Sequence, residues 1–368
     1  MRIAILGTRG IPARYGGFET FAEELSTRLA AQGHEVVVYG RRRFFCGREA
    51  TPIHYRGVTV RRLPTIMHKY FETPLHALIS FLDLWRHRVD VVLLCNAANS
   101  PFAWIGRLRG IPVLINVDGI ERRRAKWNIV GRLWYRLGEL CSVWFASAVV
   151  ADARTIAKYY LETFRCKARV IAYGAAPRIA PAGETLAKFG LKKDGYILYV
   201  SRLEPENNAL GVIQAYDRLN TTVPLVVVGD APYAKEYISQ LQRVAGKGVI
   251  FTGYQFGLSY WELCSNCYMY IQATEVGGTH PALIENMACG NCIVANAVPE
   301  HLEVLAECGV YYYRNDFGHL SRQLELLLND PARVNGFRQK ARVRAQALYC
   351  WEGVCERYQE LFKEVSQR

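Results

Sequence analysis

The chain has no apolar run long enough to cross a bilayer. Its longest candidates, Leu75 to Trp85 and Leu140 to Ala151, fall well short of the roughly 20 residues that a spanning helix needs. The opening residues, MRIAILGTRG, lack an extended apolar core with a cleavage site and read as a first strand and its turn. The expected location is therefore cytoplasmic, where the eleven cysteines read as reduced thiols rather than a disulfide framework. Internal repeats and low-complexity tracts are missing too. Acidic residues are scarce in one half only: residues 1–200 hold 31 Lys+Arg against 15 Asp+Glu, whereas residues 201–368 hold 15 against 18. An anionic partner is expected for the basic half.

At 368 residues, half of them hydrophobic, the chain has enough apolar material for two ordinary domains. Its most informative stretch is Glu275 to Gly290, EVGGTHPALIENMACG. Gly277, Gly278 and Thr279 lead into Pro281, and residues 281–288 have helical character. Proline in a first helical turn is preorganised, and the free N–H groups and positive dipole end there suit a diphosphate. Glu285 falls one turn in, about 6 Å along the axis, within reach of a ribose diol. A plain loop-to-helix junction and a solvated helix carboxylate are the competing readings.

Two cysteine pairs, Cys264 with Cys267 and Cys289 with Cys292, are separated by 21 residues, just beyond the usual zinc-ribbon gap. A strand, the glycine loop and a helix lie between them, so buried packing thiols are expected and no metal.

Along the chain, Arg2 to Leu6 is a short apolar strand, followed by GTRGIPARYGGFE, an amphipathic helix carrying Phe18, Phe21, Ala22, Leu25 and Leu29, and a strand at 34–39. The first loop lacks G-x-G-x-x-G spacing, which excludes the dinucleotide fingerprint. It offers Gly16 and Gly17 at a helix N-terminus, either as a close-approach site for an anion or sugar or as a structural turn. Arg9 and Tyr15 either contact a ligand or brace the loop. Further strands are expected at 58–62, 91–95, 112–117, 147–151 and 169–173, then at 196–200, 224–228, 249–252, 268–272, 292–295 and 310–313. The alternation predicts an α/β class with two doubly wound domains whose glycine loops sit at strand C-terminal ends. If the domains face each other, both loops line one cleft. The expected boundaries are 1–175, a Pro- and Gly-containing linker at 176–194, a second domain at 195–340, and a helical segment at 341–368.

With these pieces in order, the whole chain resembles glycosyltransferase family 4, of GT-B fold, and within it the bacterial rhamnosyltransferase-type branch of capsule and O-antigen assembly. The matching segments are GTRGIPARYGGFETF, INVDGIERRRAKW, VVADARTIAKYY, VSRLEPENN and EVGGTHPALIENMACG. The resemblance implies two Rossmann-like domains facing a central cleft, with the C-terminal segment crossing back to the first domain. It implies a retaining, metal-independent transfer of sugar from a nucleotide diphosphate to an acceptor hydroxyl, with no cofactor. By position, Glu285 matches the ribose-binding glutamate, Arg202 the diphosphate-neutralising arginine, and Gly16 and Gly17 the N-terminal glycine loop.

Three positions depart from the family pattern. Gly277 occupies the slot of the first glutamate, with Glu275 two residues earlier. Asn207 or Asn208 replaces a lysine, and Asp118 replaces a histidine near the donor sugar. These departures read as altered sugar recognition. Asp118 is the candidate contact for donor or acceptor hydroxyls and a proton acceptor, with turn capping as the alternative; Arg202 reads as a diphosphate ligand or a surface ion pair. Arg122, Arg123, Arg124, Lys126 and Trp127, with Arg41 to Arg43, Arg61 and Arg62, supply basic clusters, and five of the seven Trp precede residue 150. Basic side chains beside Trp suit an anionic membrane surface and a polyprenyl-diphosphate-linked saccharide acceptor; a solvated face is the plainer reading. No nucleic-acid recognition motif accompanies the charge. The leading expectation is a peripheral enzyme of the inner membrane face using dTDP-L-rhamnose. The alternatives are a UDP- or GDP-hexose or N-acetylhexosamine transferase, a nucleotide-sugar epimerase of the same fold, and a non-catalytic binding module.

Overall fold

A computed structural model describes residues 1–13, 16–45, 53–68, 71–124, 127–176, 178–231 and 234–367. The chain divides into two compact units, Met1–Tyr173 together with Trp351–Arg368, and Gly174–Cys350.

In the first unit, strands β1 (Arg2–Leu6), β2 (Glu35–Arg41), β3 (His54–Tyr55), β4 (Val58–Leu63), β5 (Val91–Cys95), β6 (Val113–Asn116), β7 (Ala148–Ala151) and β8 (Arg169–Val170) form one sheet. Its order is β3-β4-β2-β1-β5-β6-β7-β8. Only the β3–β4 pairing is antiparallel among the described strands. Helices α1 (Gly17–Ala31), α2 (Glu72–Leu84), α3 (Ala103–Leu108), α4 (Ile129–Phe145) and α5 (Arg154–Phe164) follow the strands. The continuous apolar runs become strands covered on both faces, as in β5, where all five residues are buried. The two-residue β3 has no apolar run and was not foreseen.

In the second unit the sheet is β9 (Ile197–Val200), β10 (Leu225–Val228), β11 (Val249–Gly253), β12 (Met269–Gln272), β13 (Cys292–Asn296) and β14 (Val310–Tyr312). Every pairing is parallel and the order is β11-β10-β9-β12-β13-β14. Its helices are α6 (Glu184–Lys188), α7 (Ala209–Tyr216), α8 (Lys235–Val244), α9 (Leu258–Ser265), α10 (Pro281–Ala288), α11 (Pro299–Leu305), α12 (Phe317–Leu328) and α13 (Pro331–Leu348). The fold class read from the sequence, two doubly wound α/β domains, is the one observed.

The boundaries differ in two places. Residues 176–194, read as a linker, belong to the second unit: the Glu262 carboxylate accepts hydrogen bonds from the backbone N–H groups of Gly183, Thr185 and Leu186 at 2.7, 3.2 and 2.8 Å and so anchors α6. The segment 341–368 divides at Tyr349 and Cys350, because α13 ends at Leu348 in the second unit and a new apolar period begins at Trp351. That period forms α14 (Trp351–Ser366), whose buried Trp351, Val354, Cys355, Tyr358, Leu361, Phe362 and Val365 belong to the first unit. Asn116 Nδ2 donates to the Tyr358 hydroxyl at 3.0 Å, and the Phe21 ring lies 5.5 Å from that of Tyr358.

Candidate active site

In each unit the strand order reverses direction at one point. In the second unit it falls between β9 and β12, and in an open α/β sheet the crevice beyond the strand C-termini at such a point is the ligand site. The two loops there are 201–208 and 273–280, which carry the Arg202 and Glu275–Thr279 motifs. They are stitched together: the Glu275 N–H donates to the Glu206 carbonyl at 3.1 Å, and Asn208 Nδ2 donates to the Ala273 carbonyl at 2.9 Å and to Glu275 Oε1 at 3.1 Å. Asn208 is left-handed, with φ of 64°, a conformation that asparagine tolerates.

Helix α10 starts at Pro281 with His280 as its N-cap residue, which puts the N-terminus where the sequence motif predicts it. Glu285 is half-buried and accepts a hydrogen bond from the Tyr260 hydroxyl at 2.5 Å; it is not a solvated helix carboxylate. Burial, then the neighbouring Cys264 and Glu285, push the Tyr260 phenol well above its ordinary range, so it stays a donor. Gly278 and Thr279 are buried, whereas Gly277 is partly exposed. A Cβ at Gly277 would lie 2.5 Å from His280 Nε2, so the imidazole occupies the space into which a longer side chain would grow.

Arg202 is partly exposed, with its guanidinium 3.7 Å from Glu204, a loose pair that leaves it accessible to an anion. Asn207, by contrast, is 4% exposed; its Nδ2 donates to the Arg202 carbonyl at 2.7 Å and its own carbonyl accepts from the Tyr199 hydroxyl at 2.6 Å. It braces the arginine loop. Behind the glycine loop lies a buried polar chain invisible to motif reading. Tyr270 donates to Gln272, Gln272 Nε2 and Thr274 Oγ1 meet His301 Nε2 at 3.3 and 3.2 Å, and His301 Nδ1 meets the Asn296 carbonyl at 2.9 Å. The His301 ring packs 5.1 Å from that of His280. Burial holds the His301 imidazole down at about 4, so it is neutral and fixed by its partners.

The cysteines of both C-x-x-C pairs are core or near-core thiols: Cys264, Cys267 and Cys292 are buried, Cys289 is partly so, and burial pushes all four upward. No group of three or more metal-ligating side chains occurs among the described residues.

In the first unit the strand order reverses between β1 and β5, beside the loop that carries Arg9, Gly16 and Gly17. Gly16 precedes α1 and Gly17 opens it. The Arg9 N–H donates to Glu19 Oε1 at 2.9 Å, and its guanidinium lies over the Phe44 ring at 5.1 Å. Tyr15 lies outside the described residues. Asp118 follows β6 with φ of 53°; its N–H is held by Asn116 Oδ1 at 3.0 Å and its Oδ1 accepts from the Tyr173 hydroxyl at 3.1 Å. Burial, and next the Glu121 carboxylate, push the Asp118 carboxyl above its usual range, against the pull of Arg124, Tyr173 and Asp152. A carboxyl so placed takes up a proton more readily than one in water.

Two arginines of the basic run after it are paired internally. Arg122 pairs with Glu139 at 3.0 Å and donates to Tyr159, Arg124 is 8% exposed and pairs with Glu121 at 2.6 Å, and Trp127 packs 5.1 Å from Tyr135. Arg123 is exposed beside the Tyr159 ring, and Lys126 lies outside the described residues. No helix among the described residues is long and apolar enough to cross a membrane.

Residues 16–174 match the Glycosyl transferase 4-like domain, and residues 184–344 match Glycosyl transferases group 1. Among curated proteins, the chain is 26% identical over 159 residues to an N-acetylgalactosamine-N,N'-diacetylbacillosaminyl-diphospho-undecaprenol 4-alpha-N-acetylgalactosaminyltransferase of Campylobacter jejuni, covering 42% of this chain and 43% of that one. It is 29% identical over 155 residues to the O-antigen chain mannosyltransferase B of Escherichia coli, covering 40% of each. The chain thus spans about two-fifths of the length of these relatives. Among solved structures, Anabaena HepE in complex with UDP and glucose superimposes with a TM-score of 0.81 at 15% identity, covering 99% of this chain and 100% of that one; at that identity the likeness shows the GT-B fold. With both domain matches in this order, the chain belongs to the glycosyl transferases that pair a 4-like N-terminal domain with a group 1 C-terminal domain.

Proposed function

We propose that this chain transfers a sugar from a nucleotide diphosphate to a hydroxyl of a lipid-linked saccharide in cell-surface polysaccharide synthesis. The observation that carries the reading is the β9–β12 switch point, where the loop of a loosely paired arginine is stitched to the loop that opens into the α10 N-terminus, with a Tyr-held carboxylate one turn into that helix. In this reading Glu285 accepts from the ribose diol, and Arg202 and the α10 N-terminus take up charge on the departing diphosphate. The transfer is retaining and needs no metal ion: the bond from the anomeric carbon to the diphosphate breaks, the acceptor oxygen bonds on the same face, and positioning and electrostatics supply most of the catalysis. Asp118 contacts the reacting hydroxyls and receives the proton. The lipid-linked acceptor is supported by the diphospho-undecaprenol in the name of the Campylobacter relative, and a nucleotide diphosphate by the UDP in the Anabaena structure.

The leading donor is dTDP-L-rhamnose, on the motif resemblance above. A UDP- or GDP-linked hexose or N-acetylhexosamine is the second reading, favoured by the galactosaminyl and mannosyl names of the relatives. Thermal stabilisation of the purified protein by UDP, GDP, dTDP and their sugars decides between them, since a ligand that binds only the native state raises Tm. One nucleotide should shift Tm, and Glu285→Ala and Arg202→Ala should each weaken its binding by about 10- to 100-fold. A complete absence of shifts with every nucleotide would defeat the proposal.

A further inference from the structure

Helix α4 buries one side and leaves the other unpartnered. Its inward side holds Gly131, Gly138, Glu139, Cys141 and Ser142. The outward side carries Ile129 at 76% exposure, Leu133 at 64%, Leu137 at 41% and Trp144 at 60%. At 100° per residue these four fall within an arc of about 80°, and at 1.5 Å per residue they extend over roughly 22 Å. The neighbouring α3 extends the same kind of surface with Trp104 and Leu108, 44% and 68% exposed, and the two helices are tied where Arg107 Nη1 donates to the Trp144 carbonyl at 3.2 Å. Soluble proteins seldom leave a continuous surface of this kind uncovered.

Along β5, α3, β6 and α4 the exposed charges have one sign. No acidic residue occurs from Val91 to Val117, and the only one within α4 is Glu139, which is 4% exposed on the inward side and engaged by Arg122 and Arg136. Arg107, Arg109 and Arg132 are exposed along the margins. Tryptophan and leucine on one helix face with arginine at its edges is the pattern of a helix lying in the plane of a lipid interface. We propose that the α3–α4 face of the first unit docks on an anionic bilayer, with the apolar stripe in the headgroup region and the arginines on the phosphates. The inference rests on the lipid-linked acceptor reading above and gives it a surface. It moves the membrane contact away from the Arg122–Trp127 run, where Arg122 and Arg124 are paired with Glu139 and Glu121.

The test is co-sedimentation of the full chain with vesicles of phosphatidylcholine alone and of phosphatidylcholine with phosphatidylglycerol. Binding to the anionic vesicles should be strong and should fall with added salt. Leu133→Glu combined with Leu137→Glu should weaken it by roughly tenfold or more. Leu108→Glu should weaken it too, and it serves if the double variant fails to fold. Val343→Glu, at a 66% exposed position of α13, should leave it unchanged. Equal vesicle binding by a charge variant that melts like the parent would overturn the proposal. So would a lipid-free dimer in sedimentation velocity that Leu133→Glu/Leu137→Glu abolishes, because the face would then be a contact between copies. Nucleotide-induced Tm shifts in the same variants separate the two readings: they persist if only the docking surface is wrong, and they are absent with vesicle binding intact if only the transferase reading is wrong.

Discussion

Gly277 shows how one missing side chain shapes a site. The His280 imidazole fills the space that a Cβ at 277 would enter, 2.5 Å from Nε2, and it is backed by the ring of His301. Restoring the family carboxylate with Gly277→Glu should therefore destabilise the second unit by about 1–3 kcal/mol, read by urea denaturation. Adding His280→Ala should recover most of that loss, because the obstructing ring is gone; a single variant as stable as the parent would refute the argument. At this scale the sequence was legible where chemistry and local pattern coincide. Arg202 and Glu285 follow strand ends and sit in recognisable strings. Tyr260 and His301 reach the site from other parts of the chain, and Asn207, which looked like a ligand, is held in by the carbonyl of the arginine it follows. Only folding reveals such partners.

At the scale of elements, apolar runs made the strands of four or more residues readable, most plainly the central ones such as β5, β10 and β13, since a parallel strand covered on both faces has no polar side to confuse the pattern. The two-residue β3 has no such run. Boundaries were less readable: the 176–194 stretch has no apolar period of its own, yet three of its amides are satisfied by Glu262 from α9. The packing of α14 carries a prediction. Tyr358 is fully buried and receives the Asn116 amide, so Tyr358→Ala should cost the first unit about 3–5 kcal/mol through the cavity and the amide left behind. Denaturant unfolding should show that loss while nucleotide-induced stabilisation of the second unit remains.

For the whole molecule, the buried histidines set an acid limit. His76 in the first unit and His301 in the second are each held down at about 4, mainly by burial and, for His76, also by Arg41. Unfolded, each would take up its proton near 6.5. Between those values the unfolded chain binds protons that the native state refuses, so stability is intact above pH 6.5 and is lost as pH falls toward 4, by at most about 3 kcal/mol per histidine. Unfolding free energies measured from pH 7 to pH 4 should show this decline, and His301→Gln should remove one proton's share of the slope. A decline unchanged in that variant would assign the acid sensitivity elsewhere.

The ownership of α14 also bears on how the protein is made. A ribosome releases residues 1–173 long before residues 351–366 exist, so the first unit waits, incomplete, with the Asn116 amide lacking the Tyr358 hydroxyl and the ring of Phe21 lacking two of its three aromatic neighbours, Trp351 and Tyr358, while the entire second unit emerges and can close on itself. The domain that begins first is the one that finishes last.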